Sequence, residues 1–264
     1  MVPANIQSLL LDMDGTVYLG TQPIPGAADF IQYLQTAGIP FLFLTNNPAN
    51  DAMYYSDKLK GMAINVAPQQ ILTAGEATAA YLMTETPWRR VYALGTPCFE
   101  DELRRAGLTL DDADPEAVVI AFDTTLTYEK LERACLLLRE GAPYIATNPD
   151  KVCPTEYGYI PDCGAIAALL ESATGRTPKF IGKPDPAFAT MALRKLNAEP
   201  AHTAMVGDRL YTDMEMARQA GLISVLVLSG ETDREDVNKA PRKPDLLFDS
   251  VAALHQALAE AHTS

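Results

Sequence analysis

Short apolar runs that end in polar residues recur along this chain, and a stretch of helical periodicity follows each one. Ser8–Leu11 is the first run, ended by acids and followed by a helical pattern over Ala27–Ala37. Phe41–Thr45 is the next, followed by a helix over Asp51–Gly61, and Ile71–Thr73 with Gly75–Met83 repeats the unit. Runs without polar alternation read as strands buried on both faces, so the pattern predicts a parallel sheet covered by helices. Parallel strands are joined by right-handed crossovers, and ligands bind beyond their C-terminal ends. The residues that close each run are therefore where chemistry is expected.

The pattern changes near Glu85–Trp88, where Thr86-Pro87 is a break. Strands are expected at Val91–Leu94, Val118–Ala121 and Tyr144–Ala146, with helices at Phe99–Ala106, Tyr128–Glu140 and Ala165–Ser172 and an acidic loop at Asp111–Pro115. Gly175–Pro178 reads as the exit. A strand at Lys179–Ile181, a helix at Pro186–Leu196, a strand at Ala204–Val206, a helix at Thr212–Ala220 and a strand at Ile223–Leu228 follow. A length of 264 residues fits about two domains at ~150 residues each. The reading is an α/β core, residues 1–84 and 180–264, interrupted by a second α/β domain over 85–179.

Composition narrows the function. Acids outnumber bases by 34 to 21, a formal charge of −13, which disfavours nucleic acid and anionic membrane surfaces as partners. An anionic substrate must then be attracted locally, by a metal, a lysine or backbone amides. Apolar runs are too short to span a bilayer, and Met1 to Gln7 lack the regions of a signal peptide. The four cysteines, Cys98, Cys135, Cys153 and Cys163, form no metal-type spacing and read as free thiols of a reducing cytoplasm. With three histidines, a histidine-rich zinc site or a histidine-centred triad is disfavoured.

Four segments carry the chemistry. In LLLDMDGTVY (9–18), Asp12 and Asp14 sit two apart where a strand is expected to end, on one face, with Gly15 permitting an abrupt turn. Two carboxylates aimed into one crevice repel, and a bound cation removes that cost, which points to Mg²⁺ held by carboxylates and backbone carbonyls. A plain loop-capping turn is the alternative. In GDRLYTD (207–213), Asp208 closes a strand and Asp213 follows in the first helical turn; an N-cap and a helix-dipole partner are the alternatives. In IGKPDP (181–186), Lys183 stands between a strand and two prolines and can neutralise anionic charge, or be a solvated loop lysine. In LTNNP (44–48), Thr45 and Asn46 can offer donors to an oxyanion, or simply form a turn. In a parallel sheet all four strand ends face one crevice.

DMDGT, the Thr of LTNN, the Lys of GKPDP and GDRLYTD resemble the four ordered motifs of the haloacid dehalogenase superfamily, and the insert resembles its larger α/β cap. TNN, FDTTLTYEKL (122–131), ATNPD (146–150), CGAIAALLE (163–171) and GKPDP resemble, more narrowly, the NagD-like phosphatases with their class IIA cap. The resemblance covers nearly the whole chain. It implies a Rossmann-like parallel-sheet core with an inserted α/β cap domain, and a Mg²⁺-dependent phosphatase of small phosphate monoesters. It also implies that Asp12 is the nucleophile that forms an aspartyl-phosphate, and that Asp14 protonates the leaving oxygen and then activates water. Mg²⁺ would be held by Asp12, the Asp14 carbonyl and Asp208, with Asp213 in direct contact or behind a water. Thr45, Asn46 and Asn47 would bind phosphoryl oxygens, and Lys183 would balance charge.

The cap is expected to exclude water and select the leaving group. ATNPD and Tyr157–Gly164 are the candidates for reaching down, with Asp150 binding a substrate hydroxyl or amine, or serving only as a turn residue. Cys163 reads as a buried small residue, and Asp123 as a loop or cap residue. The substrates expected are sugar phosphates or nucleoside monophosphates, with p-nitrophenyl phosphate as an artificial one, for a cytoplasmic monomer or a homodimer formed through the cap. Competing readings are another hydrolase or phosphotransferase of the superfamily, or a non-catalytic phosphometabolite-binding protein. A receiver-like signalling domain is disfavoured by the insert, and loss of catalysis by the complete acid set.

Overall fold

The computed structural model describes residues 6–155 and 158–263. The chain divides into two compact units, one of Met1–Thr45, Met53–Leu72 and Lys183–Ser264, the other of Asn46–Ala52 and Thr73–Gly182.

The first unit is built on a six-stranded sheet in the order Leu246–Phe248, Ile223–Val227, Thr203–Gly207, Ser8–Asp12, Phe41–Thr45, Ile71–Thr73. The first five of these strands run parallel to their neighbours. Every residue of Ser8–Asp12, Phe41–Thr45 and Thr203–Gly207 is buried, which is why these runs lack polar alternation. Strand order reverses beside Ser8–Asp12: the chain moves to one side through Phe41–Thr45 and returns on the other through Thr203–Gly207. Such a reversal leaves a crevice at the C-terminal strand ends, where ligands bind. Helix Ala27–Thr36 buries Ala27, Phe30, Ile31 and Leu34, spaced three and four apart on one face. Helix Pro186–Leu196 starts with Asp185 accepting the Ala187 N–H and with proline at its first position, and stops at Asn197 in the left-handed region.

The second unit has its own parallel sheet in the order Lys179–Phe180, Tyr144–Ala146, Ala117–Ile120, Arg90–Leu94, Thr109–Leu110. Val118, Ile120, Leu94 and Ala146 pack with Leu137, Leu138, Ile166 and Leu170 of helices Tyr128–Arg139 and Cys163–Thr174. Asp123 is a buried structural ion: it accepts from the Thr125 N–H and hydroxyl and pairs with Lys130 at 2.7 Å. An antiparallel hairpin, Val152–Thr155 with Gly158–Pro161, exposes all of its second strand. Of the segment expected to reach down, Tyr157 lies outside the described residues.

Residues 85–179 lie inside the second unit, which also takes Asn46–Ala52, Thr73, helix Ala74–Glu85 and residues 180–182, so the strand before Lys183 pairs in this sheet and the first unit resumes at Lys183. The helix joins it through close packing. Gly75 lets helix Pro97–Arg105 approach so closely that a Cβ there would stand 2.0 Å from Glu102 Oε2, and Glu102 accepts from the Thr73 hydroxyl at 3.1 Å. The helix expected over Thr212–Ala220 starts later, at Glu215, because Leu210–Met214 form one π-helical turn.

Leu10 is fully buried in the central strand of the first unit. Leu10→Ala is expected to destabilise that unit by about 2–5 kcal/mol, through lost transfer energy and the cavity left behind. The midpoint of urea unfolding followed by circular dichroism measures it, and a loss well under ~1 kcal/mol would contradict the central placement.

Candidate active site

The strand Ser8–Asp12 ends on a charged residue whose side chain is buried. Its neighbour Thr203–Gly207 ends one residue before Asp208, which is also buried. The π-helical turn Leu210–Met214 then brings Asp213 back against the strand end, where Gly207 leaves room for it: a Cβ there would lie 2.3 Å from Asp213 Cγ. Asp12, Asp208 and Asp213 each offer a carboxylate oxygen within 4.8 Å of the others. Lys183 completes the cluster. Its side chain is 4% exposed, and Nζ pairs with Asp12 Oδ1 and, at 2.7 Å, with Asp213 Oδ1. A solvated loop lysine is thereby excluded.

Three carboxylates around one ammonium leave an excess of negative charge in a place with little water. Burial first, and then the Asp12 and Asp213 charges, push the Asp208 carboxyl up to about 8. Burial also raises Asp213, to about 6, against the pull of Lys183. Burial alone would lower the Lys183 ammonium, but the charges of Asp12 and Asp213 outweigh it and hold the group protonated. Asp208 Oδ2 accepts the Glu231 N–H at 2.6 Å, whereas the buried Asp208 Oδ1 has no hydrogen-bond partner. An unsatisfied carboxylate oxygen beside two other carboxylates is the donor set of a hard divalent cation. These residues fit a metal of the Mg²⁺ type.

Asp14 lies beyond the end of the strand rather than within it, in a turn organised by the Met13 carbonyl, which accepts from the Thr16, Val17 and Tyr18 N–H groups. Its carboxyl is not part of the three-carboxylate group; it accepts from the Tyr18 hydroxyl at 3.2 Å. Burial raises its pKa, opposed mainly by Lys58. Thr16 donates to Asp12 Oδ2 at 3.4 Å. Thr45 is buried at the end of Phe41–Thr45.

Three further expected residues belong to the second unit. Asn46 Nδ2 donates to Asp150 Oδ2 at 2.7 Å, and Asn148 Nδ2 donates to the same oxygen at 3.0 Å. Asn47 Oδ1 accepts the Ala49 N–H at 2.9 Å. Asp150 is thus the buried anchor of two amides. Cys163 is fully buried and its thiol is pushed up to about 12 by burial.

Sequence reasoning missed the loop that closes the first unit's cluster. Ser229 donates to the Gly15 carbonyl at 2.7 Å, and the Glu231 N–H supports Asp208. Gly15, at φ +84°, and Gly230 both press on Asp208: a Cβ would come within 2.2 Å and 2.0 Å of its Oδ2. The signal was present in SGE (229–231), placed just after the strand-like run Ile223–Leu228.

Residues 9–109 match the model of the haloacid dehalogenase-like hydrolases, and residues 180–254 match that of a HAD-hydrolase-like family. An acid sugar phosphatase of Staphylococcus haemolyticus is 40% identical over 245 residues, covering 92% of this chain and 93% of the relative. A 4-nitrophenylphosphatase structure from Thermotoga maritima superposes with a TM-score of 0.93 at 41% identity, covering 97% of this chain and 98% of that one. NagD from Escherichia coli K-12 gives 0.89 at 32% identity, covering 94% and 97%. The chain belongs to the haloacid dehalogenase-like hydrolases, in their NagD-like branch.

The raised carboxyls make stability depend on pH. Between the ordinary value of 3.8 and about 8, the folded chain retains a proton on Asp208 that the unfolded chain has released. The folded state binds more protons there, so stability falls as pH rises through that window. In EDTA the melting temperature is expected to decline across it, and Asp208→Asn to flatten the decline. Added Mg²⁺ is expected to stabilise more at the upper end, because its ligands must be ionised. Thermal melts with and without Mg²⁺ test this; equal stabilisation at both ends would count against a cation at Asp208.

Proposed function

We propose that this chain hydrolyses sugar phosphates or nucleoside monophosphates, with p-nitrophenyl phosphate as an artificial substrate, through an aspartyl-phosphate formed on Asp12. It is a phosphoric monoester hydrolase of the small-molecule class. The single observation that most supports the mechanism is the buried meeting of Asp12, Lys183, Asp208 and Asp213 beside the strand-order reversal.

In this reading an Asp12 oxygen attacks phosphorus and the ester oxygen leaves, protonated by Asp14. Water, deprotonated by the same Asp14, then releases phosphate from Asp12. Splitting hydrolysis this way replaces one difficult step by two easier ones. A phosphate dianion repels a carboxylate nucleophile, so positive charge must surround their approach. Lys183 supplies one such charge and holds Asp12 in place. Mg²⁺, carried by Asp12, the Asp14 carbonyl, Asp208 and Asp213 (the last directly or through water), supplies the remainder when bound. Thr45, Asn46 and Asn47 bind phosphoryl oxygens, and Asp150 binds a hydroxyl or amine of the substrate. No helix among the described residues is long and apolar enough to cross a membrane. A cytoplasmic location, and a monomer or a dimer formed through the inserted domain, complete the proposal.

Asp12→Asn is expected to lower p-nitrophenyl phosphate turnover by about 10³-fold or more with the circular dichroism spectrum unchanged. Wild-type enzyme denatured during turnover should carry one phosphoryl group, mapped by mass spectrometry to Asp12. Substantial turnover by the variant would refute the nucleophile, and a panel of metabolite phosphates ranked by kcat/KM decides the substrate class.

A further inference from the structure

Tyr18 opens a short hairpin, Tyr18–Leu19 with Gln22–Pro23, directly after the turn that carries Asp14. The side chain is fully buried, an unusual place for a phenol, and its hydroxyl donates to Asp14 Oδ2 at 3.2 Å. The backbone holds this contact from both sides. The Gly15 N–H donates to the Tyr18 carbonyl at 2.8 Å, the Tyr18 N–H donates to the Met13 carbonyl at 3.2 Å, and Asp14 and Tyr18 form a β-bridge. Lys58, from helix Ala52–Gly61, places Nζ 3.8 Å from the centre of the Tyr18 ring and also attracts the Asp14 charge.

We infer that Tyr18 is the positioning residue of the acid–base step: by donating to Asp14 Oδ2, its hydroxyl makes Oδ1 the oxygen that carries the proton to the leaving group. The inference rests on the acid–base role proposed for Asp14. A neutral carboxyl has one oxygen with a hydrogen and one without, and the oxygen that accepts from Tyr18 is favoured as the bare one. In the first half-reaction the Asp14 Oδ1–H bond breaks, the proton passes to the ester oxygen, its bond to phosphorus breaks, and the Asp12–phosphorus bond forms. Asp14 is left ionised, with Tyr18 still donating to Oδ2 and Lys58 offsetting the charge. In the second, water attacks phosphorus while Oδ1 takes its proton, the bond between phosphorus and the Asp12 oxygen breaks, phosphate leaves, and the Asp14 acid and the Asp12 carboxylate are restored.

Protonation matters most for leaving groups that are poor as anions. Mg²⁺-supplemented wild type, Tyr18→Phe and Asp14→Asn are compared by kcat/KM on a series running from p-nitrophenyl phosphate to alkyl and sugar phosphates. The phenylalanine retains the ring and its packing, so the fold should persist. Tyr18→Phe is expected to lose at least about tenfold more on the alkyl esters than on p-nitrophenyl phosphate, and Asp14→Asn more still. In the Asp14→Asn background, Tyr18→Phe should add no further dependence on the leaving group. Equal losses by Tyr18→Phe across the series, or none, overturn the inference if Asp14→Asn is selective. A non-selective Asp14→Asn overturns the acid assignment, and the inference falls with it.

Discussion

The pairing of one buried ammonium with buried carboxylates is the constraint on which this protein turns. Lys183 contacts both Asp12 and Asp213, while Asp208 is held by a backbone amide. Breaking a buried pair by removing one partner is far more costly than losing a surface pair, because a charge is stranded away from water. The cluster nevertheless carries more negative charge than Lys183 can neutralise. That residual imbalance favours a divalent cation, whose charge would offset it.

The sheet supplies the means of assembling such a cluster. Asp12 and Asp208 meet because adjacent parallel strands end together where the strand order reverses, and the turn after Asp208 returns Asp213 to the same place. Density is achieved by omission. Gly15, Gly207 and Gly230 stand where any side chain would collide with Asp208 or Asp213. The network around Asp14 has a different character: a phenol contacts one carboxyl, and an amine over the phenol's ring attracts its charge.

Much of this was legible in the sequence, for a physical reason. Runs such as FLFLT are buried on both faces and therefore carry no alternation, so their ends can be read directly, and Asp12, Thr45 and Asp208 stand at those ends. What escaped was set by packing over long distances. Helix Ala74–Glu85 belongs with the second unit because Gly75 meets Glu102, a contact that no local pattern displays. The support given to Asp208 by Glu231 comes through a backbone amide, which every residue type possesses. Tyr18 reads as one more apolar position until its hydroxyl is seen against Asp14. The short strands Thr109–Leu110 and Leu246–Phe248, and the helix Arg234–Lys239, are too brief to produce a periodic signal.

The pairing of Ser8–Asp12 with Thr203–Gly207 bears on biosynthesis. Ser8 and Thr203 join hydroxyls at 2.8 Å across 195 residues of chain. A ribosome makes about 5–20 residues each second, so the strand Ser8–Asp12 waits roughly ten seconds or more for that neighbour. Throughout the wait its apolar edge has no partner on that side, a state that invites mispairing with other nascent chains. The intervening unit, whose own parallel strands all lie between Arg90 and Phe180, is complete earlier. Chaperone dependence should accordingly concentrate on the first unit, whose strands come from both ends of the chain, while the second, whose strands follow one another in sequence, emerges from synthesis able to bury its own sheet.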